Sequence, residues 1–375
     1  MIGLSKSGVS PEAKIVTLCS MQDPSSVMAE IEACARLVKD WGRVVELAQR
    51  HRVAAVILPH VEDLADRGVV QSEVVDEIRR AAFSDIAVTA RLRVALKEIL
   101  AALGESSVDV IVLKGAALSA LIYDDQSVRP SDDIDLLCKE DSYEKVWAIL
   151  VKLGYETDDS PSLPHRHSHE ETYFERHFFH PDGFVHVELH VDDSIKMGVR
   201  PQLAASQWTR VRSIEIDGAA ALMLGLEDQV VMLSVHLHRH GFNRLVWFKD
   251  IDLLLRRYGD ELDWEKILDL ARQESVGASL WYTFRFLREM LDTPVPEHAM
   301  SALKPGRLVL WTYNAIWPEA GVLDLRGRPK RRALQFSIHE SWRGTIPSLL
   351  LMGRRREKIG ILLRRLLRLR GPDRA

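Results

Sequence analysis

The apolar residues in the first hundred positions recur at the spacing of amphipathic helices. Between about residues 26 and 103 they fall three or four positions apart, as in the run Trp41, Val44, Val45, Leu47 and Ala48. One face of each such helix can pack into a core while the other meets solvent. We therefore expect a helical N-terminal region whose last helix stops at Gly104.

The pattern changes to that of a mixed α/β structure after Gly104. A short, β-branched run at 108–113 predicts a buried strand, and Lys114-Gly115 then turns the chain into a helix that ends near Tyr123. The further predicted elements are a strand at 134–138, a helix at 142–153 closed by Gly154, a hairpin from Tyr173 to Val191 turning at 180–183, and a strand at 211–216.

Helical spacing returns beyond residue 219, and residues 317–332 are rich in Pro, Gly and Arg, which is typical of a linker or an extended arm. The candidate helices lie near 220–240, 244–257, 263–273 and 276–291. We expect an α+β fold, a mixed β-sheet core flanked by helical regions. The predicted regions are an N-terminal helical region (1–104), an α/β core (105–218), a C-terminal helical region (219–316) and a basic arm with amphipathic tail helices (317–375).

The net charge is unevenly distributed along the 375 residues. The whole chain carries −4, but residues 326–375 contain 15 Lys and Arg against 3 Asp and Glu, so this tail carries +12 and the rest −16. Arginines interleaved with leucines predict an amphipathic helix there. Such a helix could dock on the acidic body, contact RNA or lie on a membrane surface.

The composition is that of an ordinary globular protein, with 46% hydrophobic and 28% charged residues. No apolar run reaches the roughly 18 residues that cross a bilayer, and the N-terminus lacks the pattern of a signal peptide. Three widely spaced cysteines, Cys19, Cys34 and Cys138, suggest neither a disulfide framework nor a thiolate metal site. We therefore expect a cytoplasmic protein without a transmembrane segment.

Two carboxylates stand out in the strand at 134–138 and just before it. Asp133 and Asp135 are two positions apart, so they project from one face while Ile134 points into the core. Like charges about 4 Å apart repel by about 4 kcal/mol at an effective dielectric of 20, so such a pair usually holds a cation. Mg²⁺, which prefers carboxylate and phosphate oxygens, is the natural candidate.

A third carboxylate follows on an alternating strand. His186, Glu188 and His190 share one face, while Val187 and Leu189 pack inward. Glu188 can then complete a three-carboxylate cluster with the two aspartates. The turn Lys114-Gly115 precedes a helix N-terminus, where backbone N–H groups can approach a phosphate closely and Lys114 adds charge. Together these residues predict a site for a metal–triphosphate complex.

These motifs resemble the pattern of the nucleotidyltransferase superfamily. The resemblance rests on Leu113-Lys114-Gly115, on Arg129 and Ser131 ahead of Asp133-Ile134-Asp135, and on Val187-Glu188-Leu189. It covers roughly residues 105–250. The most similar pattern is that of an uncharacterised bacterial nucleotidyltransferase family with Leu-Lys-Gly and Asp-Ile-Asp motifs, related in style to toxin nucleotidyltransferases of the abortive-infection type.

The resemblance implies transfer of a nucleoside monophosphate from an NTP, ATP included, to a hydroxyl or phosphate acceptor, with release of pyrophosphate. Asp133, Asp135 and Glu188 would then be the catalytic residues and the ligands of Mg²⁺ or Mn²⁺. The residues that would bind the nucleotide are Lys114, Gly115, Arg129, Ser131, Lys249 and Asp250. Neither the base of the NTP nor the acceptor, which could be tRNA, a protein or a small molecule, is identified.

Two other functions remain open. Ala116 and Ala117 stand where the superfamily often has a Gly and a Ser that bind triphosphate, so the chain could be a catalytically degenerate adaptor for protein or RNA. Clustered histidines could instead serve a zinc hydrolase, although a spacing such as His-Glu-x-x-His is missing. The clustered histidines are His165, His167 and His169, then His177, His180, His186 and His190, and finally His236, His238 and His240.

Overall fold

The computed structural model describes residues 9–21, 23–157, 175–191, 207–307 and 309–310. The arm at 317–332, the basic tail and the histidines at 165, 167 and 169 therefore lie outside the described residues. Within the described ranges no helix is both long and apolar enough to cross a membrane.

Helices make up most of the described chain, and all the predicted helical segments among the described residues contain one. The helices are α1 (Pro11–Leu18), α2 (Met28–Ala35), α3 (Trp41–His51), α4 (Ala54–Asp66), α5 (Ser72–Glu105), α6 (Gly115–Ile122), α7 (Tyr143–Lys152), α8 (Leu226–Arg239), α9 (Leu245–Tyr258), α10 (Trp264–Glu274), α11 (Gly277–Leu291) and α12 (Glu297–Ala302).

The helices that precede the sheet in the sequence and those that follow it share one hydrophobic core. Buried side chains of α1 to α5 pack with those of α6 and of α8 to α12 in a single cluster. The 34-residue helix α5 connects this core to the sheet. Its first half contributes Val75 and Ile78 to the helical core, and its second half contributes Leu96, Ile99 and Leu103 to the core beneath the sheet.

A seven-stranded mixed sheet carries the rest of the fold, in the order β3-β4-β5-β2-β1-β7-β6. The strands are β1 (Val110–Leu113), β2 (Ile134–Cys138), β3 (Glu156–Thr157), β4 (Glu175–Phe179), β5 (His186–Val191), β6 (Arg212–Ile216) and β7 (Ala219–Met223). The central strands β1 and β2 are antiparallel, while β2 runs parallel to β5 and β1 parallel to β7. This observed architecture confirms the expected α+β fold.

The predicted hairpin that ends at Val191 is confirmed for the described residues, where β4 and β5 pair in antiparallel fashion. The backbone N–H of His180 donates to the Val185 carbonyl at 2.9 Å, and that of Gly183 donates to the His180 carbonyl at 2.9 Å. Gly183 has a φ of 77°, which glycine adopts without steric cost. Tyr173, where the hairpin was expected to begin, lies outside the described residues.

The expected stop of α5 at Gly104 is too early by one residue. The helix continues to Glu105, and Ser107 takes the left-handed conformation with a φ of 52°. The N–H groups of Ser107 and Val108 then donate to the carbonyls of Gly104 and Leu103 at 3.0 Å each. These two bonds satisfy the last carbonyls of the helix, which is the geometry of a Schellman cap.

The expected helix near 220–240 is wrong over residues 220–225. Residues 219–223 form strand β7, which pairs with β6 across the turn Asp217-Gly218, and α8 begins only at Leu226. Both turn residues have positive φ, 52° and 80°, as a two-residue hairpin turn requires. The three alanines of this strand favour a helix locally, and pairing within the sheet overrides that preference. The division of the chain into four regions stays a prediction.

We predict that Phe178→Ala lowers the free energy of unfolding by about 3–5 kcal/mol, because it opens a cavity in the core. Phe178 is fully buried and meets Trp147 edge-on, with ring centroids 5.0 Å apart. Phe184, on the same hairpin, is 61% exposed, so Phe184→Ala should cost less than about 1 kcal/mol. Denaturant unfolding of both variants measures the difference, and equal losses would contradict the described register of the hairpin.

Candidate active site

The candidate site lies on the face of the sheet opposite the core formed with α5 and α7. Ile134 and Leu136 of β2 point into that core, so the alternation of the strand sends Asp135 to the other face. Asp135 is paired with Leu113 of β1 on one side and with Glu188 of β5 on the other. The registers therefore bring the end of β1, the Asp-Ile-Asp motif and Glu188 into one row.

Asp135 is buried and held ionised by two partners. The Lys114 ammonium donates to its Oδ1 at 2.8 Å, and Nε2 of His190 lies 3.0 Å from the same oxygen. Burial alone would raise the pKa of the carboxyl, but the charge of Lys114 and the hydrogen bond from His190 prevail and hold that pKa well below its usual range. Asp135 is therefore a carboxylate across the whole physiological pH range.

Asp133 behaves in the opposite way. Burial and the charge of Asp135 raise its pKa from 3.8 to about 6, and Lys114 offsets this only in part. Two carboxylates two residues apart thus differ in their affinity for a proton, because the single ammonium serves Asp135. Such unequal carboxylates are common at functional sites, where a bound cation can replace the proton.

Glu188 and His190 complete a set of metal-ligating atoms around Asp135. One ligand atom from each of Asp135, Glu188 and His190 lies within 4.8 Å of the other two. Two carboxylates and an imidazole form a donor set that divalent cations accept. Glu188 thus lies within coordination reach of Asp135, on the same side of the sheet as His186 and His190, as the alternation of β5 predicts.

Lys114 reaches the carboxylates from a strained turn. Its φ of 49° and ψ of −125° belong to a region that a residue with a side chain rarely adopts. The turn connects β1 directly to α6, so the ammonium lies beside both Asp135 and Glu188, whose charges raise the pKa of Lys114 against the effect of burial. Strain of this kind persists where the surrounding structure enforces it, often at a site of function.

Gly115 is required by close packing in this structure. A Cβ on this residue would overlap the Ser131 hydroxyl oxygen and would lie 3.2 Å from Nη1 of Arg129. The sequence suggested that the glycine leaves space for a phosphate, whereas here the space beside its Cα is filled by the loop that precedes β2. Contacts of Gly115 and Ser131 with a nucleotide stay a prediction.

Arg129 and Asp250 form a buried ion pair. Nη2 of the arginine donates to Oδ2 of Asp250 at 2.7 Å and Nε donates to Oδ1 at 3.2 Å, while the Tyr123 hydroxyl donates to Oδ1 at 2.8 Å. Nη1 of Arg129 donates to the Ser131 hydroxyl at 3.1 Å. Arg129 and Asp250 therefore bind one another, and they tie the loop before β2 to helix α9.

The Lys249 side chain contacts the N-terminal helical region and not the carboxylates of the candidate site. Its buried ammonium donates to the Ser20 carbonyl at 3.1 Å, just after α1, and burial lowers its pKa. The structure thus brings Asp133, Asp135, Glu188 and Lys114 together, and it places Lys249 against the N-terminal helices. The assignment of Lys249 and Asp250 as nucleotide ligands stays a prediction.

Two arginines that the sequence analysis missed converge beside the site. Nη2 of Arg52 and Nη1 of Arg244 each lie 2.6 Å from a different oxygen of Asp132, whose carboxylate is 48% exposed. Arg52 ends α3 in the left-handed conformation and also pairs with Asp85. Because these arginines are 80 and 112 residues away from Asp132 in sequence, no local pattern could have indicated them.

Histidine and tryptophan side chains border the site on the side of α8 and α9. The rings of His236, on α8, and His240, directly after α8, have centroids 4.5 Å apart, and both contact the Trp247 ring. Burial and the charge of Lys114 hold the pKa of His236 well below its ordinary value, so this imidazole is neutral at pH 7.

A model of a protein family described as uncharacterised nucleotidyltransferase matches residues 38–292. The chain belongs to this family. The match includes the whole described sheet and most of the helices on both sides of it. Family membership makes the chain a nucleotidyltransferase, with transfer of a nucleoside monophosphate as its general reaction.

No curated protein sequence matches the nucleotidyltransferase significantly. An antigenic nucleotidyltransferase-like protein from Paracoccidioides brasiliensis is similar in structure, with a TM-score of 0.37 and 17% identity, over 56% of this chain and 95% of that one. The enzyme ANT(2″)-Ia, in complex with adenylyl-2″-tobramycin, gives a TM-score of 0.36 and 18% identity, over 50% of this chain and 97% of its own.

We predict that Arg129→Met lowers the free energy of unfolding by about 3–5 kcal/mol, because it leaves the buried Asp250 carboxylate without its cation. Lys249→Met removes a neighbouring buried cation that has a carbonyl partner, and should cost only about 1 kcal/mol. Chemical denaturation of the two variants measures the contrast. A loss below about 1 kcal/mol for Arg129→Met would show that the ion pair is not part of the folded core.

We predict that Asp133→Asn stabilises the metal-free protein at neutral pH. A carboxyl whose folded pKa is about 6 and whose unfolded pKa is 3.8 costs the folded state nothing below pH 4. The cost develops between pH 4 and pH 6 and is complete above that window. Asparagine avoids it, so the gain should reach on the order of 1–2 kcal/mol at pH 7 and vanish near pH 4. Thermal unfolding in EDTA across this range tests the sign, and a gain that shrinks with rising pH would refute it.

Proposed function

We propose that this nucleotidyltransferase moves a nucleoside monophosphate from an NTP to a hydroxyl or phosphate acceptor and releases pyrophosphate, in a reaction that requires Mg²⁺ or Mn²⁺. The observation that carries the proposal is the row formed by Lys114, Asp135 and Glu188 on three adjacent strands or strand ends, with Asp133 beside it. This row combines ligands for a cation with a cation for a phosphate on one face of the sheet.

The residues present fit a divalent ion. Asp135 and Glu188 offer carboxylate oxygens within 4.8 Å of one another, and Asp133 is a partly exposed carboxyl whose pKa is raised to about 6 by burial and by the charge of Asp135. We propose that Asp133, Asp135 and Glu188 hold the ion. When bound, a divalent ion neutralises charge on the phosphates and orients them for in-line displacement.

Lys114 would contact phosphate oxygens in the reaction. Its ammonium is 2.8 Å from Asp135. The charges of Asp135 and Glu188 raise the pKa of Lys114, so the ammonium is fully charged at pH 7. Asp135 would hold the divalent ion, and the Lys114 ammonium beside it would pair with a phosphate oxygen, so that neither charge would be left unpaired.

Arg52 and Arg244 would add a second phosphate contact at the rim. Both guanidinium groups are partly exposed and share the exposed carboxylate of Asp132, which directly precedes the catalytic Asp133. A phosphate group can accept from the same donors that now serve Asp132, since arginine binds both anions in a bidentate manner. We propose that these two arginines bind the polyphosphate.

Arg129, Asp250 and Ser131 act as positioning residues in this proposal. Arg129 is buried, with Asp250 accepting from Nε and Nη2 and Ser131 accepting from Nη1. They place the loop that leads into Asp133, and Gly115 allows that loop to approach α6. Lys249 supports the packing of α9 against the N-terminal helices.

Acceptors of three kinds, tRNA, protein and small molecule, carry the hydroxyl or phosphate that the reaction needs. A contact of the basic tail with RNA or with an acidic surface stays a prediction, because the tail lies outside the described residues. A cytoplasmic location is supported by three buried cysteine thiols, Cys19, Cys34 and Cys138.

We predict that Asp135→Asn lowers transfer by at least about 100-fold, because it removes a charge that must face the cation in the transition state. The assay incubates each α-phosphate-labelled NTP with the protein, Mg²⁺ or Mn²⁺, and fractionated cell extract, and follows label in RNA, protein and small molecules. The same reaction with γ-labelled NTP must leave the acceptor unlabelled, since nucleotidyl transfer retains only the α-phosphate.

Asp109→Asn is the matched control, because Asp109 is an exposed carboxylate immediately before β1 and should leave transfer unchanged. Activity of Asp135→Asn near the parent level would overturn the assignment of this carboxylate. Absence of labelling by every NTP with the parent protein, in all fractions and with both ions, would favour the degenerate adaptor instead.

A further inference from the structure

A second group of metal-ligating side chains lies on the outer side of Glu188. His177 of β4 is directly opposite Glu188 of β5 in the antiparallel register, and Phe179 is opposite His186. Alternation along both strands puts the two imidazoles and the carboxylate on one face. On the other face Phe178 and Val187 are fully buried in the core, so the hairpin cannot rotate to separate the three groups.

The ligand atoms of this group are close together. Nδ1 of His177 is 2.9 Å from Nε2 of His186 and 3.8 Å from Oε1 of Glu188, and one ligand atom from each residue lies within 4.8 Å of the others. Ligands about 2 Å from a tetrahedral metal are about 3.3 Å apart, so small movements suffice to coordinate an ion. The His186 ring is stacked on Phe179, with centroids 4.6 Å apart, which limits its rotation.

The chemistry of this group differs from that of the catalytic carboxylates. Two imidazoles and one carboxylate suit a borderline transition metal such as Zn²⁺ or Co²⁺, whereas Mg²⁺ prefers oxygen ligands. Glu188 offers a different oxygen to each side: Oε1 faces His177, and Oε2 lies 3.8 Å from Nε2 of His190. The Glu188 carboxylate therefore lies between the two imidazoles of His177 and His186 on one side and the group that contains Asp135 and His190 on the other.

We infer that His177, His186 and Glu188 bind a divalent transition-metal ion, distinct from the Mg²⁺ or Mn²⁺ proposed at Asp133 and Asp135, with Glu188 as a ligand common to both. Three protein ligands leave at least one coordination position open for water or for an anionic group of a substrate. A single hydrogen bond between the two imidazoles, with no metal, is the competing explanation of the 2.9 Å distance.

The test is direct binding of Co²⁺ to the full chain, without an affinity tag and stripped of metal with EDTA. We expect tight binding of Co²⁺ with visible d–d absorption of a nitrogen-ligated ion, displacement by Zn²⁺, and no displacement by a large excess of Mg²⁺. His177→Gln and His186→Gln should each weaken this binding at least about tenfold, since each removes a ligand. His180→Gln, in the turn of the same hairpin, should bind Co²⁺ like the parent.

Asp133→Asn separates this inference from the proposed function, because it should abolish nucleotidyl transfer while keeping the Co²⁺ spectrum. The inference fails if the parent binds no Co²⁺ or Zn²⁺ in this assay, if Mg²⁺ displaces the ion, or if both glutamine variants bind like the parent. Thermal unfolding of the metal-free variants shows whether they are folded. If a glutamine variant is not, Asp135→Asn decides the matter, because it should keep the Co²⁺ spectrum if the ion lies at His177 and His186 and lose it if the ion lies at Asp135 and His190.

Discussion

Repulsion among three carboxylates on neighbouring strands is the constraint around which this site is built. Asp135 and Glu188 are paired on neighbouring strands, Asp133 directly precedes the first of these strands, and the charges of all three act on Lys114. Like charges about 4 Å apart cost several kcal/mol at an intermediate dielectric. The ammonium of Lys114 offsets part of this cost, and it reaches Asp135 from a turn after β1 in which the lysine has a φ of 49°. Burial and the charge of Asp135 together raise the pKa of Asp133 to about 6, so Lys114 does not remove the whole cost of ionising this carboxyl.

The position of the carboxylates depends on parts of the chain that are distant in sequence. Arg129, just before the Asp-Ile-Asp motif, is anchored by Asp250 of α9, and the Ser131 hydroxyl packs against Gly115 of α6. Helix α9 is itself part of the core that the N-terminal helices share with the C-terminal ones. The helical regions therefore do more than cover the sheet: they fix the loop from which Asp133 projects. A family match that begins just before α3 and ends just after α11 is consistent with this dependence.

Local pattern predicts those features of the protein that local physics determines. Alternation in β5 was enough to put Glu188 on the side of the aspartates, and helical spacing was enough to find α9, α10 and α11. Strand β7 was not predicted because its alanines favour a helix, and only the Asp217-Gly218 turn indicated a hairpin. Arg52 and Arg244 could not be found, since their relation to Asp132 exists only after long-range packing. The buried pair of Arg129 with Asp250 likewise has no signature in the sequence around either residue.

The register of the β4–β5 hairpin connects core packing to the chemistry of both groups of ligands. A shift of one residue would turn His177 and Glu188 toward the core and Phe178 toward the site, because side chains alternate along a strand. Burial of Phe178 against Trp147 opposes such a shift, and five paired positions with β2 hold β5 in place from its other side. Glu188 can therefore present one oxygen to His177 and the other toward His190 without any freedom in its backbone. Its position between two unlike groups is a consequence of the hydrophobic pattern on the opposite face of the same strands.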